Sequence, residues 1–185
     1  EAREKKKKDS LLPHGMLVVV VDDSELNRKI AIRSLTRAQH ATLAEDWTFA
    51  QFDTVEAAQP FLRKAHEDGL APIVCLDEQM ASRGGVLTGL QATRWLKDLG
   101  FRGTIISTSG DPGVGAKHLE LGAHLNWGKP LPKQDRIVQD LVGLFNKDNR
   151  TGKQESRRHS SGSSSTTTHK KVANDEATFA LRPSL

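Results

Sequence analysis

Acidic, hydroxyl and basic side chains follow short apolar segments at several places in the sequence. Asp22 and Asp23 close the run MLVVVVDD, Asp77 closes APIVCLD, Ser109 ends TIISTS, and Lys129 precedes a proline. Carboxylates are ligands for hard divalent cations such as Mg²⁺, whereas an ammonium and a hydroxyl can hold the oxygens of a phosphoryl group. An aspartate can also carry a phosphoryl group as an acyl phosphate. These residue types therefore indicate a site for phosphoryl chemistry, provided that the fold gathers them.

The segments that carry these side chains alternate between strand and helix patterns. The apolar runs are short and rich in β-branched residues, as in strands buried on both faces of a parallel sheet, and helical spacing follows each run. The predicted strands are Met16–Asp23, Trp47–Phe52, Ala71–Asp77, Thr104–Ser109 and Leu125–Gly128. The predicted helices run from the cap Ser24 to Gln39, from Asp53 or Thr54 to Gly69, over Gly89–Leu99, over Ala116–Leu121 after a glycine-rich turn at Gly110–Gly115, and around Ile137–Phe145.

This fivefold βα alternation predicts an α/β fold, a (βα)5 doubly wound parallel five-stranded sheet with helices on both faces. In the flavodoxin-like strand order 2-1-3-4-5, the first and third strands are neighbours, so Asp22, Asp23 and Asp77 meet at the carboxyl edge of the sheet. Three like charges that close require a counter-charge. A divalent cation, Mg²⁺, is the expected solution, and Lys129 adds a second positive charge on the opposite side.

The positive charge of the chain lies at its ends. The 185 residues carry a net charge of +4. Residues 1–15 hold five basic and three acidic side chains, and residues 148–185 hold seven and four, which leaves residues 16–147 close to neutral. We therefore predict a basic lead-in or linker at 1–15, a folded domain at 16–147 and a disordered basic Ser/Thr-rich tail at 148–185. A near-neutral domain argues against direct binding of nucleic acid.

The composition also bears on the location of the protein. The longest apolar run, Met16–Val21, is far shorter than the roughly 20 residues that a membrane-spanning helix needs, so no membrane span is predicted. The single cysteine, Cys75, cannot form an internal disulfide and is expected to be a small core residue. A cytoplasmic location is expected, either free or tethered through a larger chain.

Five blocks of sequence, taken in order, resemble the receiver (response-regulator) domains of two-component phosphorelays. The blocks are VVVVDDSELNR, IVCLDEQM, GLQATRWLK, TIISTSGD and LGAHLNWGKP, within Leu17–Lys147. The resemblance implies that Asp77 is the phospho-acceptor. It further implies that Mg²⁺ is bound by Asp77 and Asp23 directly, by Asp22 through water, and by the backbone carbonyl of Gln79.

The resemblance assigns roles to two further residues and to a partner. Ser109 takes the place of the switch hydroxyl that bonds phosphoryl oxygens, and Lys129 pairs with those oxygens. The implied function is a Mg²⁺-dependent phosphorelay receiver, which accepts a phosphoryl group from a histidine on a histidine kinase or phosphotransfer protein and signals by conformational switching. Such a domain catalyses only its own phosphorylation and dephosphorylation, with no small-molecule substrate. Asn27 and the GLQAT helix most resemble receivers attached to hybrid histidine kinases.

Three departures from the receiver pattern support an alternative interpretation. Ala81 stands where the family usually has proline, the 81–88 loop is about four residues longer than usual, and Asn126 replaces the common aromatic residue three positions before the lysine. The alternative is a degenerate receiver that acts as a phosphorylation-independent protein-interaction module. A flavodoxin-like cofactor enzyme is disfavoured, because the first turn, DDSELN, is acidic and lacks a glycine-rich phosphate cradle.

Several other polar and aromatic residues have no predicted chemical role. Glu78 is expected to be a solvated neighbour of the site and not a ligand. None of the seven histidines has a partner at paired spacing or an acidic residue that would orient it. Trp127 is compatible with a core position or with a surface that faces a partner.

Overall fold

The structure, a computed structural model, describes residues 10–159, with side chains described as far as residue 146. The parts of the predicted lead-in before residue 10 and of the predicted tail after residue 159 lie outside the described residues. The strands are β1 (Leu17–Val21), β2 (Thr48–Phe52), β3 (Ile73–Leu76), β4 (Thr104–Ser107) and β5 (Leu125–Asn126). The helices are α1 (Glu25–Ala41), α2 (Val55–Glu67), α3 (Gly89–Asp98), α4 (Pro112–Glu120) and α5 (Gln134–His159).

The five strands form one parallel sheet in the order β2-β1-β3-β4-β5. The predicted α/β fold and strand order are therefore confirmed. Val21, the last residue of β1, pairs with Phe52 at the end of β2 and with Leu76 at the end of β3. Since the ends of these neighbouring strands are level, the residues that follow β1 and β3 emerge side by side at one edge.

Hydrophobic side chains cover both faces of the sheet, which explains why the central strands are apolar throughout. On one face, Val18 and Val20 of β1 pack in a core with Leu35 of α1 and Leu141 of α5. On the other face, Val19 and Val21 of β1 join a core with Leu62 of α2 and Leu96 of α3. Alternate residues of one strand thus serve opposite cores, as expected for a sheet buried between two helical layers.

Polar residues fix the points at which the first three helices begin. The side chains of Ser24, Thr54 and Thr88 each accept a hydrogen bond from the backbone N–H three residues later. Thr88 also forms a reciprocal capping box with Gln91. These caps position the loops that connect the strand ends to α1, α2 and α3.

Two helices differ in extent from their predicted ranges. Helix α4 begins at Pro112 and not at Ala116, because Asp111 caps it by accepting from the backbone N–H groups of Gly113 and Val114, and a proline suits a first helical position. Helix α5 continues to His159, beyond the predicted domain end at residue 147. Residues 148–159 contain no proline, the residue type that most strongly interrupts a helix.

The folded part also begins before its predicted boundary at residue 16. Leu12 is buried in the core beside α1 and α5. The indole N–H of Trp47 donates to the carbonyl of Pro13 at 2.8 Å, and the backbone N–H of Glu45 donates to His14 Nδ1 at 3.0 Å. Residues 10–14 therefore pack against the segment between α1 and β2, because a buried leucine and a buried indole donor both find partners there.

Candidate functional site

Three carboxylates converge at the carboxyl edge of the sheet. Asp22 and Asp23 follow β1, and Asp77 follows β3, whose neighbouring register is continued by a hydrogen bond of 2.9 Å from the Asp77 N–H to the carbonyl of Val21. One ligand atom from each of the three carboxylates lies within 4.8 Å of the others. The predicted convergence of these three residues therefore appears in the geometry.

Lys129 provides a positive charge to this cluster. Its ammonium lies 2.9 Å from Asp22 Oδ2 and 2.8 Å from Asp77 Oδ1, and both carboxylates are almost completely buried. Burial raises the pKa of Asp77, although the hydrogen bond and charge of Lys129 oppose that rise. Burial alone would lower the pKa of Lys129, but its bonds to Asp77 and Asp22 outweigh burial and leave that pKa raised. The lysine is thus held charged between two acidic groups.

The loop that follows β1 fixes the orientation of Asp22. Its Oδ1 accepts from the backbone N–H of Ser24 at 2.9 Å and from the side-chain amide of Asn27 at 3.1 Å. The guanidinium of Arg28 donates to the backbone carbonyl of Asp22 at 2.6 Å. Asn27, which the sequence motif contains without an obvious role, therefore acts as a positioning residue for one of the three carboxylates.

Asp23 is held by a residue that sequence reasoning did not single out. Its Oδ2 accepts two hydrogen bonds from Ser82, one from the backbone N–H at 3.1 Å and one from the hydroxyl at 2.5 Å. Ser82 lies in the 81–88 loop, where Ala81–Arg83 form a short 3-10 turn. The two residues are 59 positions apart, so only the folded loop brings them together.

Ser109 and Gln79 border an open space beside Asp77. A cavity of about 290 Å³ is lined by Asp77, Gln79, Ser109 and Lys129, together with Glu78, Gly110, Asp111 and Val114. The hydroxyl oxygen of Ser109 accepts from the backbone N–H of Asp111 at 3.2 Å, which leaves its proton available to another acceptor. The cavity therefore joins a carboxylate, an ammonium and a hydroxyl, a combination that can hold an anionic tetrahedral group.

The site contains an oxygen donor set that fits Mg²⁺. Asp22, Asp23 and Asp77 offer only carboxylate oxygens, which this cation prefers to nitrogen or sulfur ligands. Lys129 neutralises part of the negative charge, and within the part of the chain that the structure describes its ion pairs are with Asp22 and Asp77 and not with Asp23. Asp23 is less buried than Asp22 and Asp77, so its carboxylate is the most accessible of the three to a cation from solvent.

His118 and Glu78 form a buried pair next to Asp77, which corrects two predictions. The side chain of His118 is fully buried, its Nε2 lies 3.1 Å from Glu78 Oε2, and its Nδ1 lies 2.9 Å from the Thr93 hydroxyl. Glu78 also accepts from the backbone N–H of Leu90 at 2.9 Å. Glu78 is therefore not a solvated neighbour, and His118 does have an acidic partner. The two residues are 40 positions apart, which places this pair beyond any local spacing rule.

Burial lowers the pKa of His118, and Glu78 opposes this effect. We assign a neutral ring whose Nε2–H donates to Glu78, because an ionised carboxylate can only accept. His118 Nδ1 and the carbonyl of Gly89 then share the single proton of the Thr93 hydroxyl, which lies 2.9 Å from the first and 3.0 Å from the second. The network connects the residue after Asp77 to α3 through Thr93 and to α4 through His118. It fixes two helices relative to the carboxyl edge of the sheet.

Replacing His118 with leucine is expected to destabilise the fold by about 2 kcal/mol, because the change removes two buried hydrogen bonds and leaves polar atoms of Glu78 and Thr93 with fewer partners. Thermal unfolding in the absence of metal measures this effect. A matched His40→Leu variant, at an exposed position on α1, is expected to change stability by less than about 0.5 kcal/mol.

A double-mutant cycle with Glu78→Ala assigns the loss to the pair, because alanine removes the acceptor of the His118 Nε2–H. We expect an interaction energy of about 1 kcal/mol between positions 78 and 118. Additive effects of the two substitutions would show that the contact does not contribute to stability.

Asn126, at the position of the common aromatic residue, packs tightly against α4. A Cβ atom added to Gly115 of α4 would lie 2.0 Å from the side-chain nitrogen of Asn126. The next residue, Trp127, is buried in the core with α5, and its indole N–H donates to Asp140 at 3.1 Å. Of the two predicted alternatives for Trp127, the structure therefore supports the core position.

Within residues 10–159, no helix is both long enough and apolar enough to cross a membrane. This agrees with the shortness of the apolar runs in the sequence.

No family model and no curated protein sequence matches the chain. Solved structures do match. The receiver domain of the histidine kinase CKI1 from Arabidopsis thaliana, complexed with Mg²⁺, is 23% identical, with a TM-score of 0.52, over 72% of this chain and 95% of that one. The signal receiver domain of the putative response regulator NarL from Mycobacterium tuberculosis is 23% identical, with a TM-score of 0.53, over 71% and 97%.

The receiver domain of NtrX from Brucella abortus is also similar, at 22% identity and a TM-score of 0.52, over 67% of this chain and 97% of that one. In each case nearly all of the solved domain is covered. The chain therefore has the receiver-domain fold.

Proposed function

We propose that this chain is a phosphorelay receiver that accepts a phosphoryl group on Asp77 from a histidine of a partner protein. The observation that carries the proposal is the ammonium of Lys129, which lies within 3 Å of both Asp22 and Asp77 at the mouth of a cavity that also contains Ser109. A carboxylate, an ammonium and a hydroxyl thus surround one space large enough for a phosphoryl group, which supports a nucleophilic role for Asp77. The receiver fold of the solved neighbours supports the same function.

The donor set supports Mg²⁺ as the cofactor. Asp23 and Asp77 would bind the ion directly, with the backbone carbonyl of Gln79, and Asp22 would bind it through water. When bound, Mg²⁺ supplies positive charge that offsets the repulsion between the carboxylates and an incoming phosphoryl group. One of the solved neighbours, the CKI1 receiver domain, is complexed with Mg²⁺.

The residues of the chain have separate tasks in the transfer. A lone pair on a carboxylate oxygen of Asp77 forms the new O–P bond while the N–P bond to the partner's histidine breaks. The electrons of that bond return to the imidazole nitrogen, which remains on the partner. Lys129 leaves its contact with the Asp77 oxygen to pair with a phosphoryl oxygen, and the Ser109 hydroxyl donates to another.

Transfer to Asp77 would change the contacts of the loop after β4. Because Ser109 lies two residues before Asp111, the cap of α4, a hydrogen bond from Ser109 to the phosphoryl group would bias the position of that helix. The phosphoryl group therefore acts by shifting the balance between two existing conformations. Hydrolysis of the acyl phosphate ends the signal, so the domain catalyses only its own modification.

An apolar cavity beside the site supports docking of a protein partner. A cavity of about 180 Å³ lies between α1 and the segment after β5, and Ile30, Pro130 and Leu131 line it next to Asp22 and Lys129. Ile30 is also partly exposed to solvent. A histidine kinase or phosphotransfer protein could contact these side chains while its histidine approaches Asp77. Such a partner implies an intracellular location.

The degenerate receiver remains the second candidate. Asn126, which stands where the family usually has an aromatic residue, packs tightly against Gly115, and this departure from the receiver pattern favours the degenerate receiver. In that function, the domain binds its partner without phosphorylation. The two functions differ in whether Asp77 reacts, so a direct test of phosphoryl uptake separates them.

The wild-type chain, incubated with Mg²⁺ and a small-molecule phosphodonor, is expected to gain one base-labile phosphoryl group on the peptide that contains Asp77. Intact-mass measurement followed by peptide mapping detects the group and its position. Omission of Mg²⁺ with excess EDTA serves as the control and is expected to suppress uptake, because the carboxylates then repel the phosphodonor. No uptake in Mg²⁺, with the protein folded, would favour the degenerate receiver.

A further inference from the structure

Ser82 forms two contacts with Asp23 that its own turn does not require. Both its backbone N–H and its hydroxyl donate to Asp23 Oδ2, at 3.1 and 2.5 Å. Ser82 lies inside the 3-10 turn Ala81–Arg83, and its hydroxyl donates to Asp23, 59 positions away, and not to the backbone of that turn. The partner of this hydroxyl is a carboxylate that follows a different strand, β1.

The other end of the 81–88 loop is held independently. Glu56 Oε1, on α2, accepts from the backbone N–H groups of Val86 and Leu87, both at 2.8 Å. The backbone N–H of Glu56 itself, together with those of Leu87 and Val86, lowers the pKa of Glu56, because these donors stabilise its ionised form. The loop is thus attached to α2 at one end and to Asp23 at the other.

Glycines allow the chain to turn between these two attachments. Gly84 has a φ of 77°, a left-handed conformation that few other residues adopt. The N–H of Gly85 donates to the carbonyl of Met80, and a Cβ atom at Gly85 would lie only 2.8 Å from that oxygen. Ser82 therefore belongs to a defined turn and presents its hydroxyl to Asp23 in a fixed direction.

We propose that Ser82 is a positioning residue for Asp23, and that it links the conformation of the 81–88 loop to cation binding at the carboxylate cluster. This inference rests on the metal site of the proposed function. Two donors to Oδ2 restrict rotation of the Asp23 carboxylate and use much of the hydrogen-bonding capacity of that oxygen. The other oxygen, Oδ1, is then left for the cation.

The hydrogen bonds from Ser82 to Asp23 couple the conformation of the 81–88 loop to the binding of the cation. If the loop conformation that contains the Ser82–Asp23 hydrogen bonds favours the carboxylate orientation that binds the cation, then cation binding favours that loop conformation by the same free energy. Hydrogen-bond partners of a ligating carboxylate typically contribute a factor of 10–100 to metal affinity. The backbone N–H of Ser82 remains after removal of the hydroxyl, so the lower end of that range applies.

Ser82→Ala is expected to weaken Mg²⁺ binding about tenfold, measured by isothermal titration calorimetry on the full chain. Ser82→Thr retains the hydroxyl and is expected to restore most of the affinity. Val86→Ala, in the same loop but with an 84% exposed side chain, is the matched control and is expected to bind Mg²⁺ as the wild type does. Equal affinity of Ser82→Ala and wild type, or an equal loss in Val86→Ala, would overturn the proposal.

Hydrogen exchange gives a second readout that does not require phosphorylation. Mg²⁺ is expected to slow exchange of the amides at 82–87 in the wild type and to slow it less in Ser82→Ala. An identical Mg²⁺ response of the two proteins would contradict the proposed link.

The failures of the two proposals are distinguishable. If the wild type binds Mg²⁺ and takes up phosphate but Ser82→Ala does so equally well, only the role of Ser82 is wrong. If the wild type binds no Mg²⁺, both the metal site and the role of Ser82 are wrong.

Discussion

Asparagine at position 77 is expected to reduce phosphoryl uptake to the background of the assay. The amide has nearly the shape of the carboxylate, but it lacks the negative oxygen that attacks phosphorus. It also removes one of the three carboxylates that gather at the edge of the sheet. Intact-mass measurement after incubation with Mg²⁺ and a phosphodonor detects the loss.

The Asp77→Asn variant is expected to remain folded. Because burial raises the pKa of Asp77, folding disfavours its ionised form. The contribution of Asp77 to stability is therefore greatest below the unfolded-state pKa of about 3.9 and is lost as the pH rises through the higher folded-state value. At neutral pH and in EDTA, a neutral amide should leave the unfolding temperature no lower than that of the wild type.

Asp98→Asn provides a matched control for this experiment. Asp98 is an exposed carboxylate at the end of α3, outside the acidic cluster. This variant is expected to take up phosphate as the wild type does. Undiminished uptake by Asp77→Asn would identify another acceptor and contradict the assignment of Asp77.

The sequence was sufficient to predict the sheet and the residues that gather at its edge. A strand such as LVVVV, buried on both faces, has few alternatives to a central parallel position. Once β1 and β3 are neighbours, the main-chain register determines that Asp22 and Asp77 emerge together. Those predictions depend on the periodicity of apolar residues and on backbone geometry, which are determined by residues close together in the sequence or on neighbouring strands.

The contacts that hold the carboxylates were not predictable in the same way. The partner of Asp23 is Ser82 and the partner of Glu78 is His118. The two members of each pair lie far apart in the sequence and on different elements, so they meet only in the folded chain. A serine in a glycine-containing loop has many available partners, and a histidine on a helix can face either solvent or core. The partner of the serine depends on the length of the 81–88 loop, and the partner of the histidine depends on how closely α4 approaches α3.

The start of α4 illustrates a competition between local signals. Gly113 and Gly115 favour a turn, whereas Asp111 and Pro112 are a strong pair for starting a helix. The helix is observed from Pro112, and Gly115 is accommodated because its missing side chain leaves room for Asn126. The tertiary contact thus decides between two signals of similar strength.

Lys129→Met is expected to destabilise the metal-free protein by about 3 kcal/mol, the lower end of the cost of breaking a buried ion pair. Methionine retains the apolar stem of lysine but removes the ammonium that lies between Asp22 and Asp77, whose side chains are only 4% and 10% exposed. The lysine side chain is 31% exposed, so solvent screens part of the interaction. In EDTA at neutral pH, the unfolding temperature should fall by about 10 °C.

The matched control is Lys117→Met, at an exposed position on α4, which is expected to change stability by less than about 0.5 kcal/mol. Excess Mg²⁺ should stabilise Lys129→Met more than it stabilises the wild type, because the cation then neutralises carboxylates that have lost their ammonium. Equal unfolding temperatures of Lys129→Met and the wild type in EDTA would show that Lys129 does not balance the buried charge. A loss of Mg²⁺ affinity in Lys129→Met as large as that in Asp23→Asn would contradict the division of roles, in which the aspartates bind the cation and Lys129 binds the phosphoryl group.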